Sequence, residues 1–221
     1  MNALSRPADD RRKLRKLLIQ LGLGGVSGAA AMAGSLFFLE RYEGLLDQPE
    51  RVVALGTALV YGLMALVVAA GTLAPAFGRL ALNVEDREEL AEQRPNLLVG
   101  AVSFALAAVM LLTLSLADSA GQPGPISQPF AAIVALVAGV GSVGLSIAYR
   151  NAGDEMMRAA SREASAVTIG LVFLIFGGWA AASQLGFVPM FAPLLFVSGL
   201  YALYLLAVFI VVGRKGLLAQ R

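Results

Sequence analysis

Long apolar runs separated by short polar segments dominate this sequence. Six runs contain no Asp, Glu, Lys or Arg, and they occupy residues 17–39, 52–74, 97–117, 130–149, 164–185 and 190–212. A helix of about 20 residues, rising about 1.5 Å per residue, crosses the hydrocarbon core of a bilayer. The pattern therefore predicts an all-α polytopic membrane protein, a six-transmembrane-helix bundle spanning residues 17–212.

The polar segments predict the connections between these spans. Residues 118–128 are rich in Gly and Pro, which is typical of an irregular exposed loop. Two longer polar breaks, residues 79–96 and 149–163, each predict a short helix. We expect Pro95 to interrupt the first of these helices, since proline cannot donate the backbone hydrogen bond. No proline separates the second break from the fifth run, so that helix should continue into the span.

Lys and Arg residues are distributed unevenly between the two faces that six spans create. The leader, residues 1–16, carries six, and each break and the tail, residues 213–221, carry three; of the 17 in the chain, only Arg41 and Arg51 fall on the other side. Cytoplasmic loops collect basic residues. The N and C termini and both breaks are therefore predicted to be cytoplasmic, and the protein to be a multi-pass protein of the plasma membrane, here the bacterial inner membrane.

The first run has an alternative interpretation as a cleaved signal. A basic leader, a Gly- and Ala-rich run and the small residues Ala31 and Ala33 are also typical of a secretory signal, which would remove residues 1–33. The run continues through the apolar residues 36–39, which favours a retained span. Cleavage would leave five spans in the same orientation.

The composition excludes several kinds of catalytic and metal site but does not identify a function. Hydrophobic residues make up 58% of the chain and charged residues 14%, the mean hydropathy is +0.75, and there is no Cys and no His. In soluble domains, hydrophobic residues make up about 45–50% of the chain and charged residues about 25%. Without Cys or His, disulfides, zinc sites built on those residues and His-based general base catalysis are excluded. We predict no catalytic residue, no metal site and no cofactor, and hence no enzyme.

A weak internal repeat relates the two breaks. Three polar residues recur at an offset of 68 positions: Asn83, Asp86 and Arg94 correspond to Asn151, Asp154 and Arg162. The offset equals two spans with their loops, so it fits a parallel repeat. Membrane thickness alone would set the same spacing, and both interpretations stay open.

The second break offers a candidate partner-binding surface. Apolar residues recur there at helical spacing, opposite charged ones. The residues expected to contact a partner are Asp154, Met156, Met157, Arg158 and Arg162. The partner would be another membrane protein or a second copy of the chain.

Small residues and hydroxylated residues within the spans each allow two interpretations. Gly24 with Gly28, and Ala135 with Gly139, are small residues four apart, which let helices pack closely within a bundle or between copies. The hydroxyls expected to line a polar pathway for a neutral solute are those of Tyr61, Ser142, Ser146 and Tyr201. Hydrogen bonds between helices are the alternative use of these hydroxyls.

These patterns favour a structural or accessory subunit that interacts through small-residue helix faces and its cytoplasmic breaks. The alternative is a passive channel or carrier for a small neutral or hydrophobic solute. Basic residues at the membrane, above all in the leader, should attract anionic lipids in the bilayer. They lack the interleaved aromatic residues that nucleic-acid binding needs, so no nucleic acid is expected.

Overall fold

A computed structural model describes residues 48–74, 77–78, 87–118, 123–149 and 155–215, together with residues 29, 33, 34 and 37. Side chains are described for all of these except residues 87–90. The four isolated residues are helical. The rest of the first predicted span, with Gly24 and Gly28, lies outside the described residues. So do the basic leader, Asp86, Asp154 and the last six residues.

The described part of the chain is helical and contains no strand. Its helices are α1 (Pro49–Leu73), α2 (Arg87–Ser115), α3 (Gln128–Tyr149), α4 (Glu155–Val172), a π-helix (Phe173–Gly177), α5 (Gly178–Gln184) and α6 (Pro193–Arg214). Since α4, the π-helix and α5 follow without a break, five continuous helices are long and apolar enough to cross a membrane. They coincide with the second to sixth predicted spans, and the all-helical, multi-pass architecture is confirmed to that extent.

In the described residues, both polar breaks continue as helix into the spans that follow them. The second continues into its span, because one helical stretch runs from Glu155 to Gln184. For the first, the expected interruption is wrong: α2 passes through Pro95 without ending. A proline inside a helix removes one backbone hydrogen bond. In a 29-residue helix that packs along two neighbours, this single loss does not end the helix.

The helices pack in the order α3, α2, α1, α6, α4. Contacts join α3 to α2, α2 to α1, α1 to α6 and α6 to α4, whereas α3 and α4, although consecutive in sequence, make little contact. Small side chains allow the closest of these approaches. Ala54, Ala58 and Ala65 of α1 are buried, and a Cβ added to Gly62 would lie 3.7 Å from Ala108 of α2. Packing of helices through small residues therefore operates between α1 and α2.

The loop after α2 is held by a buried arginine. Arg51, at the start of α1, is 2% exposed, and its guanidinium donates hydrogen bonds to the carbonyl oxygens of Ala117 (2.8 Å) and Pro123 (3.2 Å). Backbone pairing of Ala117 with Ile126 closes the same loop. The loop is irregular, as expected, but its base is tied to α1.

Aromatic side chains join the π-helix to α6 and to the connection before it, at the opposite end from α4's polar start. Phe176, Phe191 and Phe196 have ring centroids 4.9–5.7 Å apart. The connection begins with Gly186 at φ +81°, and the amides of Gly186 and Phe187 donate to the carbonyls of Ser183 and Ala182. This is a Schellman ending, which needs a residue that tolerates positive φ.

Candidate binding groove

A groove opens where α3 and α4 diverge. Its volume is about 600 Å³, within the range of ligand-sized sites. The residues that line it come from three helices: Asn96, Val99, Gly100 and Ser103 from α2, Leu145, Ser146 and Tyr149 from α3, and Met157, Arg158, Ser161 and Arg162 from α4. We call this the α2–α3–α4 groove.

A second cavity adjoins the groove along the outer side of α2. It measures about 450 Å³ and shares Val99, Leu145 and Tyr149 with the groove. Its lining adds Arg94, Pro95, Leu98 and Val102 of α2. The two cavities together provide an apolar surface between α2 and α3 with arginines at the edge nearest the polar breaks.

The described part of the groove lining carries positively charged side chains. Arg158 and Arg162 belong to its lining, and none of the described lining residues is Asp or Glu. The nearby carboxylate of Glu163 is engaged elsewhere, since its Oε2 accepts a hydrogen bond from Lys215 Nζ at 2.8 Å, at the end of α6. Glu163 precedes the predicted span 164–185, and this hydrogen bond lowers the pKa of its carboxyl group. The carboxylate therefore stays ionised and paired with α6.

The predicted partner-binding residues of α4 are divided between surfaces. Met156 is 48% exposed and lies outside the groove lining, while Met157 shares the groove with Arg158 and Arg162. Further along the same apolar stripe, Ala164 is buried. The stripe is thus exposed at its methionine end and packed inside the protein at its alanine end.

The four hydroxyls predicted to line a pathway lie in two places. Tyr61 is buried, and its hydroxyl donates to the backbone carbonyl of Tyr201 at 2.8 Å, with the two rings edge to face at 5.5 Å. Ser146 lines the groove, and its hydroxyl donates to the carbonyl of Ser142 one turn earlier. The tyrosine pair joins α1 to α6, so the Tyr61 hydroxyl forms a hydrogen bond between helices.

The predicted small-residue pair on α3 is only partly engaged within the chain. Ala135 packs against the core formed by Ala58, Met110, Leu111 and Ala138. Gly139 is half-buried, and a Cβ added to it would meet nothing within 4 Å. Gly139 is therefore not required for packing among the described residues.

Two features were not singled out from the sequence. Arg51 was recognised only as a basic residue on the minority side, although it lies beside a Gly- and Pro-rich loop whose carbonyls need donors. The α2 wall of the groove contains Asn96, Gly100 and Ser103, which are small or polar residues spaced three and four apart on one helix face. That spacing was the available signal for the wall.

No group of three or more His, Cys, Asp or Glu within the described ranges could hold a metal ion. Comparison with protein-family models, with curated proteins and with solved structures finds no match. Functional inference therefore depends on the geometry of the groove and of the α4 surface.

Proposed function

We propose that this protein is a non-catalytic accessory subunit of a membrane assembly, and that the polar start of α4 is its contact surface. It lies in the plasma membrane, the bacterial inner membrane, and crosses it six times with both termini in the cytoplasm. The orientation is supported by the distribution of Lys and Arg, which places α4's polar start and the end of α6 on the basic side.

The observation that carries the proposal is the exposure of two methionines. Met156 and Met157 are 48% and 50% exposed, and both precede the predicted span 164–185. Apolar side chains exposed within a span face lipid, whereas two adjacent ones exposed outside it form an apolar patch that suits a protein contact. Methionine is flexible and polarisable, which suits it to a protein contact.

The packed interior supports a role without transport through the centre of the bundle. Leu111 of α2 and Val211 of α6 are fully buried, and Tyr61 is buried against Tyr201. The hydroxyl of Tyr61 is used in a hydrogen bond between helices. A solute passing between α1 and α6 would have to break that bond.

Photo-crosslinking in native membranes tests the contact surface. A photoreactive residue at Met156 should give a discrete adduct with a protein, which mass spectrometry would identify as another membrane protein or a second copy. The matched control is Ile169, which is 58% exposed but lies within the span, and which should react with lipid only. If Met156 gives no protein adduct and the protein purified in mild detergent is a lone monomer, the proposal fails.

A passive carrier for a small neutral or hydrophobic solute is the second candidate. The observation that favours it is the volume of the α2–α3–α4 groove and its three serine hydroxyls, those of Ser103, Ser146 and Ser161. Solute flux into proteoliposomes would support it if Ser146→Leu abolished the flux. Absence of flux above protein-free vesicles for a panel of such solutes would remove it.

A further inference from the structure

We propose that the α2–α3–α4 groove is a binding site for one anionic phospholipid. The phosphate would lie beside Arg158 and Arg162, and an acyl chain would follow the apolar wall formed by Val99, Gly100 and Leu145. The proposal goes beyond the accessory role, because the groove lining excludes Met156, although it shares Met157 with the proposed contact surface.

The charged end of the groove matches a lipid phosphate. Two arginines, Arg158 and Arg162, lie one helical turn apart on α4 and belong to the same lining. Guanidinium presents several donors in a fixed plane and binds phosphate oxygens through paired hydrogen bonds. Ser161 lies between the two arginines in sequence and adds a hydroxyl donor to the same lining.

The other end of the groove matches a hydrocarbon chain. Val99 of α2 and Leu145 of α3 line both the groove and the adjoining cavity. Gly100 adds open space to the same lining, since a Cβ there would meet nothing within 4 Å. A free inorganic anion would use the arginines but would leave this wall uncovered.

The position of the groove along the helices also fits a lipid. Arg158 and Arg162 precede the predicted span that begins at residue 164, whereas Val99 and Gly100 lie just inside the span that begins at residue 97. The arginines are therefore at the depth of the headgroups, and the apolar wall is at the depth of the acyl chains. Tyr149, at the end of α3, lies where tyrosines usually meet the interface.

Native mass spectrometry of the full chain in detergent provides the first test. The protein is titrated with phosphatidylglycerol or, separately, with phosphatidylcholine. The wild type should retain one phosphatidylglycerol in preference to phosphatidylcholine. Arg158→Gln with Arg162→Gln should weaken phosphatidylglycerol binding by about tenfold or more, since each charge-assisted hydrogen bond contributes substantially to affinity.

The matched control removes two charges elsewhere on the same predicted face. Arg214→Gln with Arg221→Gln, both in the tail 213–221, makes the same change in net charge and keeps the Glu163–Lys215 pair intact. It should leave phosphatidylglycerol binding unchanged. Equal loss in the two double variants would mean that the lipid is attracted by overall charge, and it would overturn the site.

A steric variant tests the apolar wall without changing charge. Gly100→Leu fills the groove and should lower phosphatidylglycerol binding about tenfold. Gly139→Leu on α3 is its control, because a Cβ is equally free of neighbours there and Gly139 does not line the groove. Unchanged binding in Gly100→Leu would contradict the assignment of the acyl chain to this wall.

Two further arms distinguish other occupants. Inorganic phosphate in excess should not displace the bound lipid, and displacement would indicate a site for free anions. A photoreactive residue at Ser103, in vesicles of phosphatidylcholine and phosphatidylglycerol, should give a lipid adduct. An intrachain adduct with residues 17–39 would show that the chain itself fills the groove, and a protein adduct would show a partner there. Each of these results would refute the proposal.

Discussion

Buried charge is rare in a chain whose spans avoid ionised residues, and Arg51 shows how one is accommodated. Its guanidinium sits at the start of α1, outside the predicted span 52–74, and donates to two carbonyls of the loop after α2. Carbonyl oxygens at the end of a helix lack partners of their own. A single arginine therefore provides hydrogen-bond donors for two carbonyl groups of a Gly- and Pro-rich loop that has no regular secondary structure.

Replacement of Arg51 should be costly. Arg51→Met leaves the carbonyls of Ala117 and Pro123 without their donor, and we expect the free energy of unfolding in detergent to fall by about 2 kcal/mol or more. Arg214→Met removes an exposed arginine at the end of α6 and should change the stability little. Equal stabilities of the two variants would show that the Arg51 hydrogen bonds do not hold the loop.

Removal of the Tyr61 hydroxyl distinguishes a role in helix packing from a role in solute transport. Tyr61→Phe keeps the ring contacts with Phe104 and Tyr201 but loses the bond to the Tyr201 carbonyl. The free energy of unfolding should fall by about 1 kcal/mol. Tyr204→Phe, at a more exposed ring of α6, is the control and should lose less. Unchanged stability combined with altered solute flux would instead support a polar pathway.

At the scale of helices, the lengths of the apolar runs predicted the helices correctly, whereas the local signals in the polar breaks between them were less reliable. Apolar runs identified five helices, because crossing hydrocarbon requires helices of that length. The bounds of α1, α3 and α6 agree within three residues, whereas α2 and the stretch Glu155–Gln184 begin ten and nine residues before their runs. The interruption expected at Pro95 is wrong, since a local proline rule does not include the neighbours against which α2 packs. The π-helix at Phe173–Gly177 has no local signal of comparable strength; here the ring of Phe176 lies against Gly199.

The contact between Gly199 of α6 and Phe176 of the π-helix can be tested by substitution. A Cβ on Gly199 would collide with the Phe176 ring, which is surrounded by Phe191 and Phe196. Gly199→Ala should therefore lower the free energy of unfolding by about 1–3 kcal/mol, measured by thermal unfolding in detergent.

Two controls define the origin of that loss. Combining Gly199→Ala with Phe176→Leu should restore part of the stability, because the smaller side chain leaves room for the methyl group. Gly170→Ala in α4, where a Cβ meets nothing within 4 Å, should be neutral or slightly stabilising. A destabilised Gly170→Ala with an unaffected Gly199→Ala would contradict the packing.

At the scale of the whole molecule, the candidate site is a property of packing order. Sequence identified Met157, Arg158 and Arg162 as chemically notable, but it grouped them with Met156 on one partner-binding surface. Only the packing of the helices brings the two arginines into one lining with Asn96 and Ser103 of α2. Which helices become neighbours depends on side-chain fit over whole helix faces, and a single sequence does not encode that in any short motif.

The threading of the chain through the membrane is the central claim, and its most direct test is cysteine labelling across α3. The chain has no Cys, so Ser127→Cys and Glu155→Cys each introduce a single thiol, at exposed positions on either side of Gln128–Tyr149. An impermeant maleimide applied to intact spheroplasts should label Ser127→Cys at once and Glu155→Cys only after permeabilisation. Labelling of both from outside, or of Glu155→Cys alone, would contradict the account.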